Sequence, residues 1–490
     1  MVAIKALFES EQINNFAEFR QKDITTPEMK VAIKEWFSLY FERTVTKTDN
    51  PCQRLPYAIV NKLCKTVFSE YNSSISGAQK SVKNAWQDKN RSALDTIKKD
   101  ILQWTLIGGG CLIKPIPNSR GFSFKCIRRD HYLVFARNGK GQITSIGTAE
   151  VIINGGFIYT LLERRTLDER GYLTIENKLF ESKSLYELGR AVKLANIAEF
   201  AHLLPVVTYS KPFNGIGFVE VKTPMANCVD GSPDGISVYE PATLLIRGIN
   251  KNERQLDREF DHGESKIFCS EDLFTSRADG TPKITDDIFY AANASMKETG
   301  ITAYSPILRD ANYERRKQSY LRSIETLIGF KRGILSNVEA SERTATEITS
   351  SDGDYSLSIQ DFQNMWFDTM RDTLKLCDTL GILFKLCDDT PFNADDISIS
   401  WGNGVLYDAR QEWLDRLQMV QNSLLKPELA LAWKFDLPCK TEEDLEAIRV
   451  KYMPTLTDLI KGSAPRQNLD EADDVINTAK EIAGKTLNGA

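Results

Sequence analysis

Two long helical patterns separated by a short insert constrain this chain more than any other feature. Residues 240–262 read as one uninterrupted helix, and a second helix is predicted over residues 306–332. The insert, residues 266–304, is extended at first and then rich in turns. Apolar residues of the first helix share one stripe: Leu245, Ile249, Leu256 and Phe260. Basic residues form a second stripe: Arg247, Lys251, Arg254 and Arg258. The pattern predicts a helical hairpin with a small β-containing module at its tip.

Charge is distributed unevenly over this predicted hairpin. The chain of 490 residues has 62 Lys and Arg against 67 Asp and Glu, a net charge of −5, which disfavours a tight, static binder of duplex DNA. Residues 306–332 carry seven basic and three acidic residues, a net of +4, whereas residues 271–304 carry three basic and six acidic residues, a net of −3. Two interpretations stay open from composition: a solvated helix with i,i+4 ion pairs, or a basic helix face that meets a polyanion beside an acidic protein-docking tip.

Helical spacing of apolar residues predicts further helices on both sides of the hairpin. Residues 27–41 and 56–71 show this spacing, and a third helix is predicted to begin with Ser92 as its N-cap. After the hairpin, a long helix is expected over residues 344–387, bent near Asp352-Gly353. Short helices are predicted between residues 408 and 452.

From Cys111 the hydrophobic period falls to two, which predicts strands. The first is expected to stop at Pro115, and Asn138-Gly139 is a strong hairpin signal. The other predicted strands are residues 131–135, 142–146, 150–153, 157–164, 172–179 and 397–401. The fold class predicted is α+β, with an antiparallel meander partly covered by the first helices.

The sequence lacks the motifs that catalysis or metal binding would require. Gly108-Gly109-Gly110 is not followed by the Lys-Ser/Thr of a phosphate-binding loop, and the three histidines have no metal-ligand spacing. Nine cysteines form no CxxC pair, which argues against a zinc site or disulfide framework and favours synthesis in a reducing, intracellular setting. No apolar run predicts a membrane span. We expect no catalytic residues, no metal, no cofactor and no membrane partner.

Several fragments, in their order and spacing, resemble the portal (head-to-tail connector) proteins of tailed bacteriophages, in the branch typical of phages with Gram-positive hosts. The fragments are Pro51–Lys62, Arg128-Arg129-Asp130, Ser232–Glu240, Asp257-Arg258-Glu259-Phe260 and Thr344–Ile348. Each fragment alone is a weak signal, and together they cover the organisation of residues 20–460. The polar C-terminal tail carries no matching motif.

The resemblance implies a portal fold with named parts. It implies an α/β wing over residues 1–236 and 344–403, a stem formed by helices 237–265 and 306–332, and a clip at 266–305. A tunnel loop would cover residues 333–343, a helical crown residues 404–461 and a polar tail residues 462–490.

The resemblance also implies a function. Family portals form a ring of twelve subunits at one capsid vertex, the channel through which double-stranded DNA is packaged and ejected. The implied partners are further copies of the chain, the DNA in the channel, the terminase large subunit, a head-completion adaptor, the major capsid protein and the scaffolding protein. The implied location is the virion, with assembly in the host cytoplasm. The alternative is a monomeric head–tail adaptor or minor capsid protein, whereas a packaging enzyme would need a nucleotide loop or carboxylate cluster that the sequence lacks.

Candidate site residues follow from this layout. The residues expected to face DNA in the stem and tunnel loop are Arg309, Arg315, Arg322, Lys331, Arg332, Ser336, Asn337 and Arg343. The residues expected to pack the stem are Leu245, Ile249, Leu256 and Phe260. The clip surface expected to dock partners contains Phe274, Arg277, Asp279, Asp286, Asp287 and Phe289.

Overall fold

The computed structural model combines helices and sheets, which agrees with the α+β class. It describes residues 19, 21–42, 51–78, 81–118, 121–184, 187–213, 215–263, 266–270, 289–292, 301–305, 307–337, 345–401, 409–435, 437, 439 and 442–453. The α-helices are α1 (Pro27–Phe41), α2 (Leu55–Val67), α3 (Val82–Thr96), α4 (Lys98–Gly108), α5 (Thr243–His262), α6 (Asp310–Ile328), α7 (Ala345–Leu383), α8 (Ala409–Gln421), α9 (Pro427–Phe435) and α10 (Glu442–Tyr452).

The β-strands are β1 (Asn72–Ile75), β2 (Gly110–Asn118), β3 (Gly121–Arg128), β4 (Tyr132–Arg137), β5 (Ile143–Asn154), β6 (Phe157–Leu167), β7 (Leu173–Ser182), β8 (Arg190–Val192), β9 (Val206–Thr208), β10 (Val219–Lys222), β11 (Lys266–Ser270), β12 (Phe289–Ala292), β13 (Ile301–Tyr304) and β14 (Ile397–Ser400). One sheet has the order β4-β5-β6-β7-β8, with β9 also on β7, and a second has the order β10-β2-β3. Strands β4 to β7 form the expected antiparallel meander.

One large apolar core joins the N-terminal helices, the base of the hairpin and α7. Trp36 of α1, Leu63 of α2, Leu102 of α4, Ile246 of α5 and Trp366 of α7 are each at most 1% exposed. Burying an apolar side chain of this size contributes about 1.5–3 kcal/mol relative to exposure. The base of the hairpin is therefore fixed by the same core that orders the first helices.

The third N-terminal helix begins earlier than the sequence predicts. Ser81 is the N-cap of α3, accepting a hydrogen bond from the Asn84 amide at 3.3 Å, and Ser92 lies inside the helix. The prediction for Ser92 was wrong because the buried positions at the start of α3 are polar: Lys83, Gln87 and Asn90. An apolar stripe is therefore missing where the helix starts.

Two strand predictions are also corrected. Strand β2 continues through Pro115 to Asn118, because β10 pairs only with residues 110–113 and leaves that side of β2 as an edge, where proline is tolerated. The predicted strands 142–146 and 150–153 form one strand, β5, which is paired with β6 along its length. The hairpin at Asn138-Gly139 is present, but the residue with positive φ in its turn is Gly141.

Helices α5 and α6 pack against each other, and the insert between them forms a sheet. Strand β11 is central in the order β12-β11-β13, parallel to β12 and antiparallel to β13. A short 3-10 turn at Glu240–Ala242 precedes α5. Helix α6 is shorter than predicted, since it begins at Asp310 and ends at Ile328, where the next residue, Gly329, terminates the helix with a φ of 78°.

Helix α7 and strand β14 contact elements formed by the first hundred residues. The helix is unbroken at Asp352-Gly353, where the sequence predicts a bend, and it ends at Leu383. Strand β14 pairs antiparallel with β1, with Ile399 opposite Ser73. The described residues from 409 to 453 belong to a separate compact unit, in which α9 begins at Pro427 and Arg449 pairs with Glu428 at 2.6 Å.

Candidate nucleic-acid interface on the helical hairpin

The register of the hairpin is set by close contacts along its length. Gly248 of α5 lies against the ring of Tyr320, since a Cβ placed on Gly248 would be 3.3 Å from Cε2 of that ring. Farther out, Asn252 Nδ2 donates to the carbonyl oxygen of Tyr313 at 3.1 Å. The two helices are therefore antiparallel neighbours, and the small residue Gly248 lets the aromatic ring fit between them.

Ion pairs join the outer half of the hairpin. Lys317 Nζ lies 3.2 Å from Glu253 Oε1. Near the insert, the Arg309 guanidinium donates to both carboxylate oxygens of Glu259, at 2.9 and 2.6 Å. This pair raises the pKa of Arg309 and lowers the pKa of Glu259. Arg309, one of the expected DNA-facing residues, thus has its charge compensated within the hairpin.

Helix α6 has a buried face and an opposite, polar face. Leu321, Ile324, Glu325 and Ile328 are buried. At about 100° of rotation per residue, the residues opposite them are Asn312, Arg315, Arg316, Ser319, Arg322, Ser323 and Thr326. The three acidic residues of α6, Asp310, Glu314 and Glu325, lie outside this opposite face. We call these seven residues the arginine face, which combines three cationic groups with small polar side chains.

The expected DNA-facing residues therefore occupy different environments. Arg315 and Arg332 are exposed, and Arg322 and Lys331 are half-buried. Sequence reasoning missed Arg316, which donates to the Tyr320 hydroxyl at 2.9 Å and lies over its ring. The i,i+4 spacing of these two residues is the signal that could have found this contact.

The basic stripe of α5 lies on a different side of that helix from the residues that contact α6. Arg247 pairs with Glu35 of α1 at 2.9 Å, so one member of the stripe joins α5 to the N-terminal helices. Lys251 and Arg258 are exposed, and Arg254 is half-buried. Lys251 and Arg258 are thus two exposed cations of this stripe on the hairpin.

The segment after α6 is attached to that helix by one buried carboxylate. Glu325, which is 0% exposed, accepts hydrogen bonds at Oε1 from the amides of Gly333, Leu335 and Ser336, at 3.2, 2.5 and 2.8 Å. The Asn337 amide donates to Gln318 Oε1 at 2.7 Å. The described part of the expected tunnel loop, residues 333–337, is therefore bound to α6. No apolar pattern in the sequence predicts these hydrogen bonds.

The expected stem-packing residues separate into two pairs. Ile249 is buried and Leu245 is partly buried in the large core. Leu256 is half-buried and Phe260 is 49% exposed. Only the inner half of this stripe therefore belongs to the core of the chain.

Two fragments quoted for the family resemblance meet in the structure. Asp234 accepts hydrogen bonds from Arg129 at 3.4 Å and from Arg137. Gly109, with φ of 76°, packs directly on Gly235, and a Cβ on Gly109 would overlap the Gly235 carbonyl oxygen. This close backbone contact explains why the residue directly after α4 is glycine.

Some predicted residues lie outside the description. Arg343, Phe274, Arg277, Asp279, Asp286 and Asp287 are outside the described residues, and for Phe289 the structure describes only the backbone of β12. Among the described residues, there is no group of three or more side chains suited to a metal ion, and no helix has the length and apolarity to cross a membrane.

No protein-family model matches the sequence, and no curated protein matches it.

Proposed function

We propose that this chain is the subunit of a phage portal ring, the channel for packaging and ejection of double-stranded DNA at one capsid vertex. The observation that carries the proposal is the hairpin of α5 and α6. Its base is buried in the large core, its outer half is joined by ion pairs, and the sheet β12-β11-β13 lies between its helices in sequence. In this proposal α5 and α6 are the stem and residues 266–305 the clip.

Exposed apolar residues along the hairpin support assembly with neighbouring copies. Phe260 is 49% exposed and Ile307 92%, and both lie at the end of the hairpin next to the insert. Large apolar side chains exposed close together are typical of a surface that another chain covers. In a ring, the hairpin of the next subunit would cover them.

The dimensions of helices agree with a ring of this kind. A helix with its side chains is about 10 Å across. A wall around a duplex roughly 20 Å wide has a centre line about 30–40 Å in diameter, which on the order of ten to twelve helices side by side would fill. A hairpin that contributes one wall helix per subunit therefore supports a ring of about twelve.

The arginine face suits a channel through which DNA must move. Each cation that neutralises a phosphate releases counterions and adds to affinity, so a continuous basic lining would hold the DNA in place. The arginine face combines Arg315, Arg316 and Arg322 with serine, threonine and asparagine residues, in a chain whose net charge is −5. Such sparse cations give transient contact with phosphates without capture.

Native mass spectrometry of the purified chain, with averaged electron micrographs of the same sample, tests the proposal. We expect a ring of about twelve subunits with a central hole. A species of one or two subunits, with no ring in the micrographs after incubation with capsid components, would contradict it and favour a monomeric adaptor or minor capsid protein.

A further inference from the structure

Strand β10 has a free edge on the side away from β2. The Thr223 amide donates to the Gly109 carbonyl at 3.1 Å, and the register places Val221 opposite Cys111 and Val219 opposite Ile113. Hydrogen-bonded pairs alternate in an antiparallel ladder, so Glu220 and Lys222 direct their main-chain groups away from β2. Among the described residues, no strand pairs with this edge.

A groove follows this free edge and is closed on its other side by α7. Two cavities, of 660 and 340 Å³, share Val219, Glu220, Lys222 and Asp372 in their walls. All four residues of β10 line the smaller cavity. Because alternate side chains of a strand point to opposite faces, a cavity that touches consecutive residues lies along the strand's edge. We call this space the β10–α7 groove.

The α7 wall of the groove is acidic at the smaller cavity. Asp361, Asp368 and Asp372 lie at i, i+7 and i+11 on one exposed side of α7, and all three line the smaller cavity. Asp368 and Asp372 share a single cation, Arg371, at 2.8 and 3.3 Å. The wall therefore retains excess negative charge.

The charge of the groove changes along its length. Glu220 on the β10 side is compensated by Arg137, 3.0 Å away. Lys222 Nζ donates to the Pro233 carbonyl at 3.1 Å, and Lys140 and Lys375 line the larger cavity. A ligand complementary to the whole groove has its positive charge at the smaller cavity.

We propose that the β10–α7 groove binds an extended peptide segment of a partner protein, with lysine or arginine side chains, as an additional strand on β10. Main-chain hydrogen bonds to Glu220 and Lys222 would supply affinity, and the aspartates of α7 would select the basic side chains. From Asp361 to Thr379 the wall is about 27 Å long, at 1.5 Å per helical residue. An extended segment of about eight residues has that length. The proposal does not depend on the portal function.

The charge and shape of the groove disfavour two other classes of ligand, nucleic acids and compact small molecules. A nucleic acid would meet Asp361, Asp368 and Asp372 with like charge. A compact small molecule would leave most of an open groove of this length unfilled, whereas an extended chain matches both its length and its unpaired main-chain donors.

The test uses three labelled eight-residue peptides and fluorescence anisotropy with the purified full-length chain. The first peptide alternates lysine with valine or threonine, the second replaces every lysine by glutamate, and the third carries the lysines but has N-methyl groups on the main-chain amides of alternate residues. We expect the first peptide to bind at least about tenfold more tightly than either of the others, because the second lacks the charge and the third the hydrogen bonds. Equal binding of the first and third peptides, or no binding of the first, would overturn the proposal.

Two variants of the chain locate the binding. D361N/D368N/D372N removes the acidic wall, and D388N/D389N/D395N is its control, with the same charge change at exposed positions outside the groove. K222P removes the free main-chain donor of Lys222, and K222A removes the same side chain but keeps the donor. We expect about tenfold weaker binding for each test variant than for its control. Equal affinities within each pair would place binding elsewhere and refute the groove.

Discussion

Ser336 makes two hydrogen bonds to the buried carboxylate of Glu325. Its amide donates to Oε1 at 2.8 Å and its hydroxyl donates to Oε2 at 2.7 Å. Ser336 is itself buried, at 7% exposure. Since Gly333 and Leu335 donate to the same Oε1, one side chain of α6 organises the turn that leaves the helix.

We predict that E325L releases residues 333–337 from α6. The substitution removes an acceptor of four hydrogen bonds and leaves the buried amide and hydroxyl of Ser336 unsatisfied, at a cost of about 3 kcal/mol in the free energy of unfolding. Hydrogen–deuterium exchange should show faster exchange of the amides of Gly333, Leu335, Ser336 and Asn337. E325Q, which keeps one acceptor oxygen, should lose much less protection. Unchanged exchange in E325L would mean that other contacts hold the segment.

We predict that G109A severely destabilises the chain. An alanine Cβ would overlap the Gly235 carbonyl oxygen, at a φ of 76° that side chains disfavour. We expect a loss of about 3 kcal/mol or more. Gly139 provides the control, because a Cβ placed there meets nothing within 4 Å, so G139A should melt like the unsubstituted chain. Thermal melting of the two variants is the measurement, and equal melting temperatures would contradict the close backbone contact.

Glu163 should make the stability of the chain sensitive to acid. Burial alone would raise the pKa of this carboxyl group, but Arg165 at 2.6 Å and Lys114 at 2.6 Å outweigh it and lower the pKa to about 2. A lowered pKa stabilises the fold above the unfolded value of about 4.5, and that contribution, about 3 kcal/mol, is lost as the pH falls from 4.5 towards 2.

Denaturant unfolding at a series of pH values measures this dependence. We predict a flatter stability profile between pH 4.5 and 2 for E163Q than for the unsubstituted chain, because glutamine has no carboxyl group to protonate. E163Q should also be less stable at pH 7, since it leaves the buried Arg165 and the half-buried Lys114 without their carboxylate partner. Parallel profiles would show that other carboxylates set the acid response.

The arginine face gives a prediction that rests on the portal function. R315A/R322A should leave ring assembly unchanged and reduce the number of DNA-filled particles about tenfold, because phosphate contacts within the channel are lost. R170A/K193A is the matched control for charge, because it also removes two exposed cations but lies outside the hairpin. Particle counts by electron microscopy measure both variants. Normal DNA content in R315A/R322A particles would exclude Arg315 and Arg322 as the DNA contacts.

Local sequence patterns were sufficient to predict some helices and strands and insufficient to predict others. The meander β4–β7 and the hairpin helices were predictable, because alternation and an apolar stripe report directly on one buried face. The start of α3 was not, since its buried face consists of Lys83, Gln87 and Asn90, which pair with groups distant in sequence. The residues that donate hydrogen bonds to Glu325 could not be predicted either, because every residue except proline has a main-chain amide, whatever its side chain.

For the candidate site residues, the sequence predicted the helices that carry them but not the residues with which their charged groups pair. Arg309 and Arg315 look alike in the sequence, yet only the antiparallel register of α5 and α6 brings Glu259 to Arg309. The free edge of β10 was likewise invisible, because it depends on which strands lie beside a four-residue segment.

The pairing of β1 with β14 has a consequence for how the chain is made. Ile75 faces Ile397, which lies 322 residues later in the sequence, and Trp366 completes the core that contains Trp36 and Leu63. At about 5–20 residues per second of translation, the first helices would wait roughly 16–64 seconds for their last packing partners. During synthesis their apolar faces are exposed, so the nascent chain should be a client of ribosome-associated chaperones until residue 400 has emerged.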